Sequence, residues 1–155
     1  MQRRFYRDSN DLTMKSAQRK KRFEEGLAHF NAKKFFEAHE FWEEIWLVET
    51  EPEKTFLQGL IQITAAFHHY QSGNPEGAES LLAAGIVKLL RFPKDHRGLA
   101  IGALRENAKQ WARALGMGDD LGESALPKLK RMQRSALHHS ARKKRSAFPR
   151  TKARR

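Results

Sequence analysis

The sequence contains no cysteine. Disulfides, thiolate metal sites and a cysteine nucleophile are therefore excluded. A cysteine-free chain suits a reducing cytoplasm, which is the expected location. Proline is scarce at 5 residues and glycine ordinary at 10 of 155, so no fibrous architecture is indicated. No apolar run is long enough to span a bilayer. The longest, residues 56–67, is interrupted by Gln58, Gly59, Gln62 and Thr64. The opening residues MQRRFYRDSND are basic and lead into no apolar stretch, so no secretory leader is expected. Gly98-Leu99-Ala100-Ile101-Gly102 lacks the spacing of a phosphate loop. No serine stands in a nucleophile-elbow context. Nowhere do apolar and polar residues alternate as a half-buried strand requires.

What is present is charge, unevenly placed. The net charge is +12. Residues 1–22 hold eight basic and two acidic side chains, residues 23–127 ten basic and sixteen acidic, and residues 128–155 twelve basic and none acidic. A mildly acidic body is flanked by basic ends. The expected organisation is a basic extension over residues 1–13, one all-helical domain over 14–127 and a basic tail over 128–155. The 39% hydrophobic content suits a single domain of that size.

Helical periodicity dominates the body. It predicts helices over residues 14–32, 35–48, 52–72, 75–91 and 98–115. The third is apolar nearly all round, as a helix at the centre of a bundle is. Gly73-Asn74-Pro75 predicts a glycine stop followed by proline at the first position of the next helix. Leu27, Phe30 and Ala38 recur forty residues later as Phe67, Tyr70 and Ala78, each set flanking a helix–turn–helix joint. The fold expected is an all-α bundle of about five helices built from antiparallel hairpins. Trp111 is expected in its core. Leu121, Leu126, Pro127 and Leu129 are expected to lie across the bundle as a strap. A short helix is conceivable over residues 128–139, and residues 140–155 carry too little apolar surface to fold.

The densest chemistry lies in Phe35–Trp46, FFEAHEFWEEIW. At about 100° per residue, His39, Trp42, Glu43 and Trp46 share a face and Glu40 lies beside it. His39 and Glu43 at i,i+4 can form a charge-assisted pair or point together at a divalent metal or substrate atom. On the third helix Gln58, Gln62 and His69 fall on one line. Glutamines on an apolar helix need hydrogen-bond partners, and His39, Glu40 or Glu43 would supply them. The functional reading is a small-molecule or metal pocket. A polar cluster that only fixes helix pairing is the other reading. The spacing is neither His-Glu-x-x-His nor that of a di-iron bundle, where glutamines would be carboxylates. Of the adjacent His68 and His69, at most one can join the site.

The tail forms a third feature. Arg142, Lys143, Lys144, Arg145, Arg150, Lys152, Arg154 and Arg155 make its densest clusters. Such a tail binds phosphates through counterion release, independently of sequence. Nucleic acid or ribosomal RNA is the natural partner, a solubilising tail with no selected ligand is the other reading, and Phe148 alone serves base stacking poorly. A helical scaffold that packs against a partner protein is a further reading, suggested by the repeated hairpin.

The segment FNAKKFFEAHEFWEEIW, followed by FLQGLIQITAAFHHYQSGNPEGA, resembles the family catalogued as domain of unknown function 309. The resemblance covers roughly residues 23–90. It implies a small helical bundle of unestablished activity and motif residues Phe36, Glu37, His39, Glu40, Glu43, Trp46, Gln58, Gly59 and Gln62. The chain departs from the family pattern at Lys34, taken as the position of a common glycine, and the basic ends lie outside the pattern.

Overall fold

Three of the five helices stop in the same way. In a computed structural model that describes residues 14–133, α1 spans Ser16–Asn31, α2 Phe35–Trp46, α3 Glu53–Gln71, α4 Pro75–Leu89 and α5 Ile101–Gly116. After α1 the amides of Lys33 and Lys34 return to the carbonyls of Phe30 and His29. After α3 those of Gly73 and Asn74 return to Tyr70 and His69, and after α5 those of Gly118 and Asp119 return to Leu115 and Ala114. This closure places one residue in the left-handed region, which glycine enters without cost. Gly73 and Gly118 do so at φ 78° and 75°, and Lys33 takes the same role at φ 62°. The residue that stands in for a glycine is therefore Lys33 rather than Lys34, which has φ −95° and caps α2. A non-glycine residue there costs about 1–2 kcal/mol.

The short joints make sequential helices antiparallel neighbours, so α1 packs on α2, α2 on α3, α3 on α4 and α4 on α5. Asn74 starts α4 by accepting from the Gly77 amide at 3.1 Å, with Pro75 at the first helical position. The fold is all-α as the periodicity implies. Among the described residues no helix is long and apolar enough to cross a membrane.

The core is a line of aromatic rings in contact. Phe23 and Phe30 of α1 both lie 5.7 Å from Trp42, Phe30 meets Phe35 at 5.2 Å, Phe35 meets Phe67 at 5.4 Å, and Phe67 meets Trp111 at 5.8 Å. Offset and edge contacts of this kind add to the burial of the rings themselves. The α3 side chains Phe56, Leu57, Leu60, Ile63, Ala66 and Phe67 are wholly enclosed. Thr64, also buried, satisfies its hydroxyl on the Leu60 carbonyl at 2.6 Å. Glycines let α3 and α4 approach closely. A methyl at Gly85 would lie 2.6 Å from Ile63 and 2.9 Å from the Gly59 carbonyl.

Beyond α5 the chain crosses back as a strap. Trp111 Nε1 and Asn107 Nδ2 both donate to the Ala125 carbonyl, at 3.0 and 3.1 Å. Asn31 donates to the Leu129 carbonyl and accepts from its amide, at 3.1 and 2.7 Å. Leu126 and Leu129 are buried. Leu99 pairs with Arg131 in one antiparallel bridge. The packed body therefore runs past residue 127 to residue 132, and residues 128–133 are extended rather than helical. The two bonds from Asn31 hold that backbone straight. Residues 1–13 and the tail clusters from Arg142 to Arg155 lie outside the described residues.

Trp42 Nε1 donates to the Phe23 carbonyl at 3.2 Å, and its indole lies where a Cβ on Gly26 would be. The pinned ring cannot move aside. Gly26→Ala is predicted to destabilise the fold by about 1–3 kcal/mol, read as a lower urea midpoint with an unchanged slope.

Candidate functional site

The inward stripe of α2 decides where its polar residues go. Phe35, Ala38, Trp42 and Ile45 are buried, at i, i+3, i+7 and i+10. Trp42 thus belongs wholly to the core, while His39, Glu43 and Trp46 lie on the shoulder beside it. Glu40 is exposed.

The structure brings His39 and Glu43 together. Nε2 of His39 lies 3.5 Å from Oε2 of Glu43, with the side chains 28% and 39% exposed. A pair so open to water contributes little to stability. Trp46 is half-buried, with the Lys54 ammonium 4.7 Å above its ring and an indole N–H that finds no partner among the described residues. Gln58 is half-buried and makes no hydrogen bond among the described residues. Gln62 accepts instead from Lys88 of α4, at 2.8 Å. The expected hydrogen bonds from the glutamines to His39, Glu40 or Glu43 are absent among the described residues. The α4 neighbour reaches Gln62 because the glycines draw α3 and α4 so near.

His69 sits with Asn74 in the α3–α4 turn, 3.1 Å from its side-chain amide. Its neighbour His68 is the one that turns to α2. The His68 ring lies 5.3 Å from Phe36, and Phe36 lies 6.3 Å from His39. The antiparallel register accounts for this, because a hairpin folded at residues 47–52 sets the start of α2 beside the end of α3. Phe36 is 47% exposed and forms an apolar floor between the two imidazoles. Among the described residues no group of three or more His, Asp or Glu side chains gathers to hold a metal ion. His39 and Glu43 offer two ligands and no third.

Three clusters were not legible in the sequence. At the opening of α3, Glu53 receives His96 Nε2 at 2.8 Å and has the Arg97 guanidinium at 3.6 Å. His96 is wedged between Phe56 and Phe92, with ring centroids 4.5 and 4.9 Å away, and Arg97, at φ 57°, covers Phe23 at 4.3 Å. The second cluster is a groove of about 480 Å³ between the strap and α5, which holds Lys33, Lys128 and Lys130. The third joins Tyr70 to Asp120, the phenol donating to the carboxylate. That hydrogen bond, then burial, then the negative charges of Asp120 and Glu123 push the Tyr70 pKa up to about 12. Donation from Tyr70 first, and from the Gly122 amide second, holds Asp120 below its ordinary value. No spacing announces these contacts, since each joins residues brought together only by the strap or by the loop after α4.

With this geometry in place, two similarities stand out. Residues 23–81 match the family described as domain of unknown function (DUF309). An uncharacterized protein of Aquifex aeolicus (strain VF5) is 31% identical over 77 residues. Those residues are 49% of this chain and 23% of that relative, so the chain spans under a quarter of its length.

The Tyr70–Asp120 contact has a pH signature. The Tyr70 pKa is raised on folding, so its contribution to stability is full below its ordinary 10.0 and is lost as pH rises through about 12. The Asp120 pKa is lowered, so its contribution is present above the ordinary 3.8 and is lost as pH falls. In a Tyr6→Phe background, Asp120→Asn is predicted to bring the tyrosinate absorbance midpoint down toward 10. An unmoved midpoint contradicts the contact.

Proposed function

We propose, on the premise that this chain carries a DUF309 domain over residues 23–81, that it is a binding module for a small polar ligand, working in the cytoplasm. Its surface is the shoulder of α2, where His39 and Glu43 supply the polar contacts and Phe36 the apolar floor, with Gln58 and the Lys88-bonded Gln62 of α3 as further candidate contacts. One observation carries the reading. His39, Glu43 and Gln58 stand on the helices that build the core, yet the fold makes little use of them. Gln58 has no hydrogen-bond partner among the described residues, and His39 meets Glu43 only across a half-exposed 3.5 Å contact.

The chemistry follows from the groups. Each glutamine offers a carbonyl acceptor and two amide donors, Glu43 accepts, and Lys88 donates from the adjacent helix. Such a set recognises a molecule with donors and acceptors close together. A divalent cation would be held by His39 and Glu43 with its remaining positions open to the ligand. The shoulder is open rather than enclosed, which suits recognition better than chemistry that must exclude water.

The test is a backbone-amide NMR titration of the full chain with a panel of polar metabolites, and separately with Mn2+. At least one probe is expected to shift or broaden signals centred on His39 and Gln58. His39→Ala and Gln58→Ala are expected to weaken that binding by about tenfold or more, on the scale of one lost charge-assisted hydrogen bond. Silence at these positions with every probe overturns the reading. Signals that respond there only to a protein partner favour the scaffold reading instead.

A further inference from the structure

The groove between the strap and α5 bears a charge pattern that the body as a whole does not. Residues 23–127 are net acidic, yet the groove brings Lys33, Lys128 and Lys130 to one opening and no acidic side chain lines it. None of the three lysines forms an ion pair among the described residues. Among the described residues the only hydrogen bond from their ammonium groups runs from Lys33 to the Glu123 carbonyl at 3.1 Å. Ala100, which precedes α5, and Ala103 of its first turn also line the groove. Leu104, Leu126 and Pro127 give it an apolar wall.

The position of each lysine is specified. Lys33 is fixed in the left-handed turn at φ 62°, where it costs energy that a glycine would not. Lys128 and Lys130 flank Leu129, which is buried and clamped from both sides of its peptide by Asn31. Lys130 is held in addition by its carbonyl, which accepts from the Ala100 amide at 2.8 Å. From the same wall the chain continues into residues 134–155, with nine basic side chains and no acidic one.

We infer that this groove is a phosphate seat for the backbone of a single-stranded nucleic acid, and that it fixes the strand where the basic tail begins. Ammonium groups without carboxylate partners meet phosphates as point charges. A groove of about 480 Å³ admits a nucleotide and its neighbours' phosphates but not a duplex. The apolar wall takes a sugar or base face. No aromatic side chain lines the groove, so binding is independent of base sequence.

The experiment measures fluorescence anisotropy of a labelled oligouridylate with the full chain across a salt series. The groove variant combines Lys33→Gly, Lys128→Ala and Lys130→Ala. Glycine suits the Lys33 backbone, so the turn is preserved. A second variant, Lys128→Glu with Lys130→Glu, leaves that turn untouched. The control removes the same charge from α1 and the residue before it, as Lys15→Ala, Lys20→Ala and Lys21→Ala.

Loss of three phosphate contacts is expected to reduce the magnitude of the salt slope by about 2, at roughly 0.7 per contact on a single strand. At roughly 0.1 M salt the affinity should fall by about tenfold or more, and charge reversal should do at least as much. The α1 control should leave the slope unchanged. Four results would overturn the inference: no oligonucleotide binding by the unaltered chain, unchanged affinity and slope in both groove variants, an equal loss in the control, or displacement of the oligonucleotide by uridine monophosphate at matched phosphate concentration. The first removes the ligand, the second assigns binding to the tail alone, the third to net charge, and the fourth to a small-anion site.

Discussion

The structure depends on the seating of one indole. Trp42 fills the space left by the missing side chain of Gly26, and its ring nitrogen is satisfied by the Phe23 carbonyl. An unpaired N–H at that depth would cost a hydrogen bond's desolvation, and any larger residue at position 26 would expel the ring. The contact sets how close α1 and α2 lie. It also fixes the rotation of α2, because a helix offers its residues at fixed angles. With Trp42 inside, Phe35, Ala38 and Ile45 follow it into the core, and His39, Glu40 and Glu43 are left on the outside. Phe30 and Phe35 pass the stacking on to Phe67 and Trp111, so the same decision reaches α3 and α5.

That rotation separates the work of the two faces of α2. The inner face contributes to stability, and the outer face, half-exposed at His39 and Glu43, is the one to which ligand binding is proposed. The turn that precedes α2 serves both ends of the molecule. Lys33 reaches the groove beneath the strap, and Phe36, three residues on, opens the imidazole-flanked shoulder. The proposed phosphate seat and the proposed polar-ligand shoulder thereby both border this turn without sharing a side chain.

Much of the fold was legible because apolar periodicity is a direct record of burial. The stops at Gly73 and Gly118, the proline start of α4, the central α3 and the buried Trp111 all follow from local pattern. The repeated joint is present too, since Phe30 and Tyr70 hold equivalent places in equivalent helix ends. The site was less legible. The His39–Glu43 pair lies within one helix and its spacing announces it. The partner of Gln62 does not, because Lys88 arrives from α4 through a close approach set by Gly59 and Gly85. His68, not His69, faces Phe36 because of hairpin register, which one helix read alone cannot give. The departure from a common glycine was read at Lys34, whereas the residue of that turn in the left-handed region is Lys33. The groove was invisible because it joins residues about ninety-five positions apart through the strap.

The central claim is that His39, Glu43 and Gln58 are spared by the fold. It is tested most directly by urea unfolding of single alanine variants on the two faces. Trp42→Ala is expected to lose about 3–5 kcal/mol, while His39→Ala, Glu43→Ala and Gln58→Ala stay within about 0.5 kcal/mol of the unaltered chain. A loss of about 2 kcal/mol or more at any of these three polar positions would show that the fold does use the shoulder, and would contradict the account.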